Sequence, residues 1–267
     1  MQSQNNSSPK AYFLRIDKTR FQPTEHVGGG WNPNEQHISP ALGLLAHAVE
    51  TDRDTRRDDR LPIARLSYDI LGTLPIDAID IEVTVLRAGR TIELVEARLS
   101  HAGRAAVVVR AWLMQEYDTA AFAGSPFPRI AAAEAMQPWD PTTLWPGGYI
   151  RSVQVRRDQL EPGRASYWLR TDIALIEGER VSATARAVGL LDTANGMTPR
   201  AAAEDVAFPN LDLTAHWLGQ PRGDWLGFDT TVSFGANGVG LTHSIIHDAG
   251  GPIGVVSQCL TVRPRRS

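Results

Sequence analysis

The chain contains a single cysteine, Cys259, which excludes an internal disulfide framework and any cysteine-based zinc site. An excess of positive charge is also missing. The net charge of −3 argues against a protein that coats DNA or RNA, which needs a basic footprint. The local exception is a basic end, Arg263, Arg265 and Arg266, which is either a solvated tail or a grip on a phosphorylated ligand. Long apolar runs are absent too. The most apolar stretch, "AAVVVRAWLM", is too short to span a bilayer and carries Arg110. The opening "MQSQNNSSPK" has no apolar run, so residues 1–10 are read as a disordered lead-in and not as a signal peptide. Finally, no G-x-S-x-G elbow is present, which argues against a Ser-His-Asp hydrolase. A soluble cytoplasmic protein is expected, without nucleic-acid or membrane partners.

What is present is a repeat. The 267 residues, 42% hydrophobic and 21% charged, suit one large globular domain or two ordinary ones. Leu71-Gly72 recurs as Leu218-Gly219 and Ala102-Gly103 as Ala249-Gly250, both at an offset of 147 residues. Between these pairs each half carries two strand-like runs broken by a glycine turn, at Ala88-Gly89 and at Gly235 to Gly240. Each half then closes with a further strand, "AAVVVRAWLM" or "IGVVSQCLTV". A repeat this long indicates two copies of one domain.

Upstream, Gly43-Leu44-Leu45 corresponds to Gly189-Leu190-Leu191. The first of these sits in an expected helix with Ser39 as N-cap, Pro40 at the first helical position and an apolar stripe of Leu42, Leu45, Ala46 and Val49. The second helix is expected over about Val181 to Asn195, stopping at Asn195-Gly196. Each half thus reads as strand, helix and antiparallel strands. The spacing predicts units at 11–117 and 147–263, a Pro-rich connector at 118–146 and a basic tail at 264–267. One apolar helix followed by a meander is solved physically by a curved α+β sheet wrapped around that helix. Two such units can pair edge to edge and hide their exposed strands.

Two polar residues stand out on strand-like runs. In "PNLDLTAHWL", Leu211, Leu213, Ala215 and Trp217 share one face at period two, and Asp212, Thr214 and His216 share the other. Gln258 lies on an apolar face with Val256, Leu260 and Val262, where an unpaired amide costs roughly 1–3 kcal/mol. "GANGVG" joins two strands and reads as a hairpin turn, not a phosphate loop. His243 and His247 would lie about 13 Å apart on a strand, too far to share a metal.

The passages "RLSYDILGTLP", "VLRAGRTIELVEARLSHAGRAAVVVRAWLM" and the run from "LDLTAHWL" to "VVSQCLTVRPR" follow one another in an order that resembles the type II, double-hotdog acyl-CoA thioesterases. The resemblance covers nearly the whole chain. It implies two fused hotdog units and hydrolysis of an acyl-CoA to free acid and CoA, with no metal or organic cofactor. In that family an Asp, a Ser or Thr and a Gln of the second unit hold the hydrolytic water; carried over, these resemble Asp212, Ser233 and Gln258. Ser233 stands where the best-known members have Thr, and "NPNEQHISP" replaces their glycine-rich entry to the first helix. The repeat-related positions, Arg65, Leu86 and Ala111, lack all three groups.

Asp212 falls on the face opposite Leu213 and Trp217, so a bulge near Pro209 must re-aim it or the crevice must lie on the other side. Asp192, near the end of the second helix where the first has Ala46, is the second candidate carboxylate. Asn195, one turn on, serves either the thioester carbonyl or the helix end. Backbone N–H groups at a helix N-terminus are expected to stabilise the oxyanion. The alternatives are an acyl-CoA- or lipid-binding double hotdog without turnover and, third, an enoyl-thioester hydratase. Assembly into a homodimer is expected.

Overall fold

The computed structural model describes residues 10–265. Residues 1–9 of the expected lead-in and 266–267 of the expected tail lie outside them.

The first repeat contains β1 (Ala11–Arg15), β2 (Arg20–Pro23), the short ribbon β3 (Gly28–Gly29) and β4 (Asn32–Gln36), and α1 (Ile38–Arg56). The meander β5 (Ile63–Ile70), β6 (Ile79–Arg87), β7 (Ile92–His101) and β8 (Arg104–Met114) completes it. A segment with little regular structure follows, including β9 (Pro138–Trp139). The second repeat contains α2 (Gly148–Ser152), β10 (Val153–Glu161), β11 (Arg164–Thr171), β12 (Ala174–Ile176), α3 (Ala183–Leu191) and α4 (Ala194–Met197). It ends with β13 (Val206–Ala207), β14 (Asp212–Trp217), β15 (Leu226–Phe234), β16 (Val239–Asp248), β17 (Gly251–Thr261) and β18 (Arg263–Pro264).

Among the described residues fourteen strands form one sheet in the order β12-β1-β2-β6-β7-β8-β5-β14-β17-β16-β15-β11-β10-β9. The order β1-β2-β6-β7-β8-β5 reappears as β10-β11-β15-β16-β17-β14, so each repeat builds the same six-stranded sheet. The two meet edge to edge where β5 runs antiparallel to β14. There Ser67 lies opposite Thr214, with their hydroxyls 3.0 Å apart. These residues are separated by 147 positions, so the repeat offset itself marks a pseudo-two-fold axis through this pair. Pairing the edges in this way removes two open strands from solvent. One strand crosses over: β12, from the second repeat, adds in parallel to β1.

The sheet wraps around α1 and α3. Leu42, Leu45, Ala46 and Val49 are all fully buried, as their spacing predicts, and Leu44 is buried with them. Each leucine or valine removed from water contributes about 1.5–3 kcal/mol. The two helices cross through Gly43 and Gly189, where a Cβ on Gly43 would lie 2.8 Å from the Ala185 carbonyl oxygen and 2.9 Å from the Gly189 Cα. The matched glycines of the two Gly-Leu-Leu triplets therefore mark a contact of helix backbones.

Two helix boundaries differ from expectation. The N-cap of α1 is His37, whose Nδ1 accepts from the Ser39 N–H at 3.3 Å, which puts Ser39 inside the helix. Ser39 instead turns its hydroxyl to the other repeat, where it accepts from the Asp192 N–H at 3.2 Å. This bond to a side chain accompanies a break after Leu191, so the single helix expected over 181–195 is two, α3 and α4. Among the described residues no helix is long and apolar enough to cross a membrane.

Candidate active site

A cleft of about 370 Å³ opens at the junction of the two repeats. The first repeat contributes the 29–38 segment and the end of β5 at 70–73; the second contributes Asp192 to Met197, the 209–211 segment, Thr261 and Arg263. Trp31 and Trp145 also line the cleft, meeting edge to face with ring centroids 4.9 Å apart, and Phe208 closes the cluster behind them. The two tryptophans come from distant segments that can approach because Gly29 and Gly147 have no side chains. A Cβ on Gly147 would lie 2.1 Å from the Gly29 Cα.

The break between α3 and α4 leaves the Asp192 carboxyl inside this cleft. Asp192 is only 6% exposed. Its Oδ1 accepts from Gln258 Nε2 at 2.8 Å and from Asn210 Nδ2 at 2.7 Å. Asn210 is itself fixed by a second N–H bond to the Asp212 carbonyl oxygen at 3.0 Å. Burial pushes the Asp192 carboxyl up to about pKa 7, against the two amide donors that favour its ionised form. Its Oδ2 takes no hydrogen bond from the described residues and lies 4.0 Å from His37 Nδ1. That approach is not an ion pair, because burial pushes the imidazole down to about pKa 3 and leaves it neutral.

The sequence candidates divide. Gln258 points inward from β17, buried with Val256 and Leu260, as its spacing predicts. Its partner is Asp192, and its Oε1 is buried without a partner. Asp212 does not join it. Leu213 and Ala215 face the core, and the register of β14 against β5 is unbroken from 212 to 216. No bulge re-aims Asp212, so its carboxylate stays on the outer face, where Oδ1 accepts from the Cys259 N–H at 2.6 Å. Ser233 is exposed near the tip of the β15–β16 hairpin. The expected convergence of Asp212, Ser233 and Gln258 is therefore not formed, because alternation along β14 and β15 places two of them away from the core. Asn195 lines the cleft, but its amide serves neighbouring backbone: Oδ1 accepts from the Gly196 N–H and Nδ2 donates to the Phe208 carbonyl.

Asn210 and His37 are the site residues that sequence reasoning missed. The pseudo-symmetric location offers no equivalent carboxylate. Ala46 stands in place of Asp192, and the next acid on α1, Glu50, accepts the Ser182 hydroxyl at 2.5 Å.

Both repeats match domains of one family. The acyl-CoA thioesterase N-terminal domain matches residues 27–114 and the acyl-CoA thioesterase C-terminal domain matches residues 128–262. The chain belongs to the acyl-CoA thioesterase family. Its fold is shared with a hot dog fold protein from Alicyclobacillus acidocaldarius, 13% identical at a TM-score of 0.74, covering 96% of this chain and 98% of that one. It is also shared with the tesB protein of Mycobacterium avium subs paratuberculosis, 16% identical at a TM-score of 0.66 over 94% and 96% of the two chains. Acyl-CoA thioesterase II TesB2 of Mycobacterium marinum is 15% identical at a TM-score of 0.63, covering 97% of each chain. No curated protein matches the chain. The α+β architecture is thus a double hotdog.

Proposed function

We propose that the protein hydrolyses an acyl-CoA to free acid and CoA in the junction cleft, with Asp192 as the general base. The observation that carries this reading is a buried carboxyl with one oxygen held by two side-chain amides and the other free in a cleft walled by tryptophans. A carboxyl whose pKa lies near 7 is ionised in a substantial fraction of molecules at neutral pH while retaining basicity, the compromise that proton transfer favours. The acyl chain lies along the aromatic wall, and Arg263 at the cleft offers its charge to a CoA phosphate.

The reaction then runs in two steps. Asp192 removes a proton from water as the water oxygen bonds to the thioester carbon, and the carbonyl π electrons move to oxygen. The oxyanion collapses, the C–S bond breaks, and the thiolate recovers the proton from Asp192. Gln258 and Asn210 orient the carboxylate throughout. The two-unit division of the chain at the 118–146 connector fits this reading, since one unit supplies the carboxylate and the other the helix start that faces it.

The test is thiol release from a series of short- to long-chain acyl-CoAs, with binding followed in parallel by calorimetry. Turnover by the wild type that disappears in Asp192→Asn, with binding retained, supports the assignment. Tight binding without thiol release on any chain length would instead indicate a binding protein.

A further inference from the structure

A thioesterase needs a donor for the carbonyl oxygen as negative charge builds on it, and the start of α1 is poorly equipped to supply backbone N–H groups. Its first three residues are Ile38, Ser39 and Pro40. The Ser39 N–H is committed to His37 Nδ1, and Pro40 has no N–H at all. Only Ile38 keeps an uncommitted N–H among these three.

The residue that consumes one of those donors presents another. Because Nδ1 accepts from Ser39, the proton of the neutral imidazole sits on Nε2. Nε2 makes no hydrogen bond to any described residue, and His37 lines the same cleft as Asp192. The ring plane is held against Tyr149, with centroids 4.3 Å apart and an interplanar angle of 31°. Gly30 keeps the Nε2 edge open, since a Cβ there would lie 3.2 Å from Cδ2 and 3.7 Å from Nε2.

We propose that the Nε2–H of His37 is the hydrogen-bond donor to the thioester carbonyl oxygen, a catalytic role supplied by the helix cap where the helix start keeps a single uncommitted backbone N–H among its first three residues. The proposal rests on the hydrolase reading of the cleft. As water attacks and Asp192 takes its proton, the electron pair leaving the C=O bond localises on the oxygen that faces Nε2–H. The hydrogen bond strengthens at that moment and relaxes when the C–S bond breaks. Neutrality of the ring serves the chemistry. An imidazolium 4.0 Å from Asp192 Oδ2 would bind the carboxylate as an ion pair and oppose its work as a base. A neutral imidazole at a helix N-terminus can polarise a carbonyl without that penalty.

The informative variant is His37→Asn. Asparagine is a good N-cap and keeps an acceptor for the Ser39 N–H, but no donor reaches the Nε2 position. With folding checked by thermal melting, kcat for acyl-CoA hydrolysis should fall about 10²- to 10³-fold while KM changes by less than about threefold. Nitrogen-15 NMR of the wild type should show His37 as the neutral Nε2–H tautomer between pH 5 and 8. If Asp192→Asn abolishes turnover but His37→Asn keeps kcat within about threefold of wild type, the donor role is overturned and the hydrolase reading stands. An Nδ1–H tautomer would overturn it as well. Absence of thiol release by the wild type would remove both.

Discussion

Replacing Asp192 with Asn should make the protein progressively more stable relative to the wild type as pH rises from 4 towards neutrality, by an amount that is calculable. In the fold the carboxyl holds its proton up to about pH 7, whereas the ordinary value is 3.8. Between those values the folded state binds a proton that the unfolded chain has released, so stability falls as pH rises. The slope is about 1.4 kcal/mol per pH unit, giving about 4 kcal/mol over the window. Burial of the group means that solvent screening does not reduce this figure appreciably. Asn keeps the Oδ1 acceptor for Gln258 and Asn210 but never ionises. Glu50, whose pKa is also raised by burial, and His37, whose pKa is lowered by it, are present in both proteins and enter both unfolding curves. Urea unfolding of the two proteins at several pH values from 4 to 8 should show the variant's relative stability climbing by about 4 kcal/mol. A difference that stays flat within about 1 kcal/mol would refute the claim that this carboxyl ionises at a desolvation cost.

Other expectations follow from the same contacts. In the wild type kcat/KM should rise through about pH 7 as Asp192 ionises, and Gln258→Leu, which removes a donor to the carboxylate, should move that limb to higher pH. A limb that stays in place in the variant would argue against the Gln258–Asp192 pairing. Gly43→Ala should cost about 1–3 kcal/mol, because its Cβ meets helix backbone and not a movable side chain. An unchanged urea midpoint would show that α1 and α3 can separate freely.

Much of the architecture is legible because it is written twice. The Leu-Gly and Ala-Gly pairs share an offset of 147 residues, and the structure places two residues at that same offset, Ser67 and Thr214, in contact on the pseudo-two-fold axis. The inward direction of Gln258 is legible too, since its neighbours at period two are apolar. Its partner is not, because Asp192 reaches it only where the helix breaks, and that break is tied to Ser39 of the other repeat. Simple alternation along β14 already put Asp212 on the outer face, and the strand's own pattern describes the structure better than the bulge needed to re-aim it. His37 and Asn210 gave no signal. Both lie in polar loop sequence, and it is the crossing of α1 on α3 at Gly43 and Gly189 that brings the loop before α1 against the end of α3. His37 also displaced Ser39 as the cap, a choice between adjacent polar residues that local propensity does not settle.

The most direct measurement is the rate of thiol release by Asp192→Asn and Asp212→Asn, compared with wild type at saturating acyl-CoA. Loss of at least about 10²-fold in the first, with the second within about threefold of wild type, is the outcome that a buried Asp192 general base requires. Wild-type turnover that survives in Asp192→Asn and disappears in Asp212→Asn would contradict it and move the chemistry to the outer face of β14.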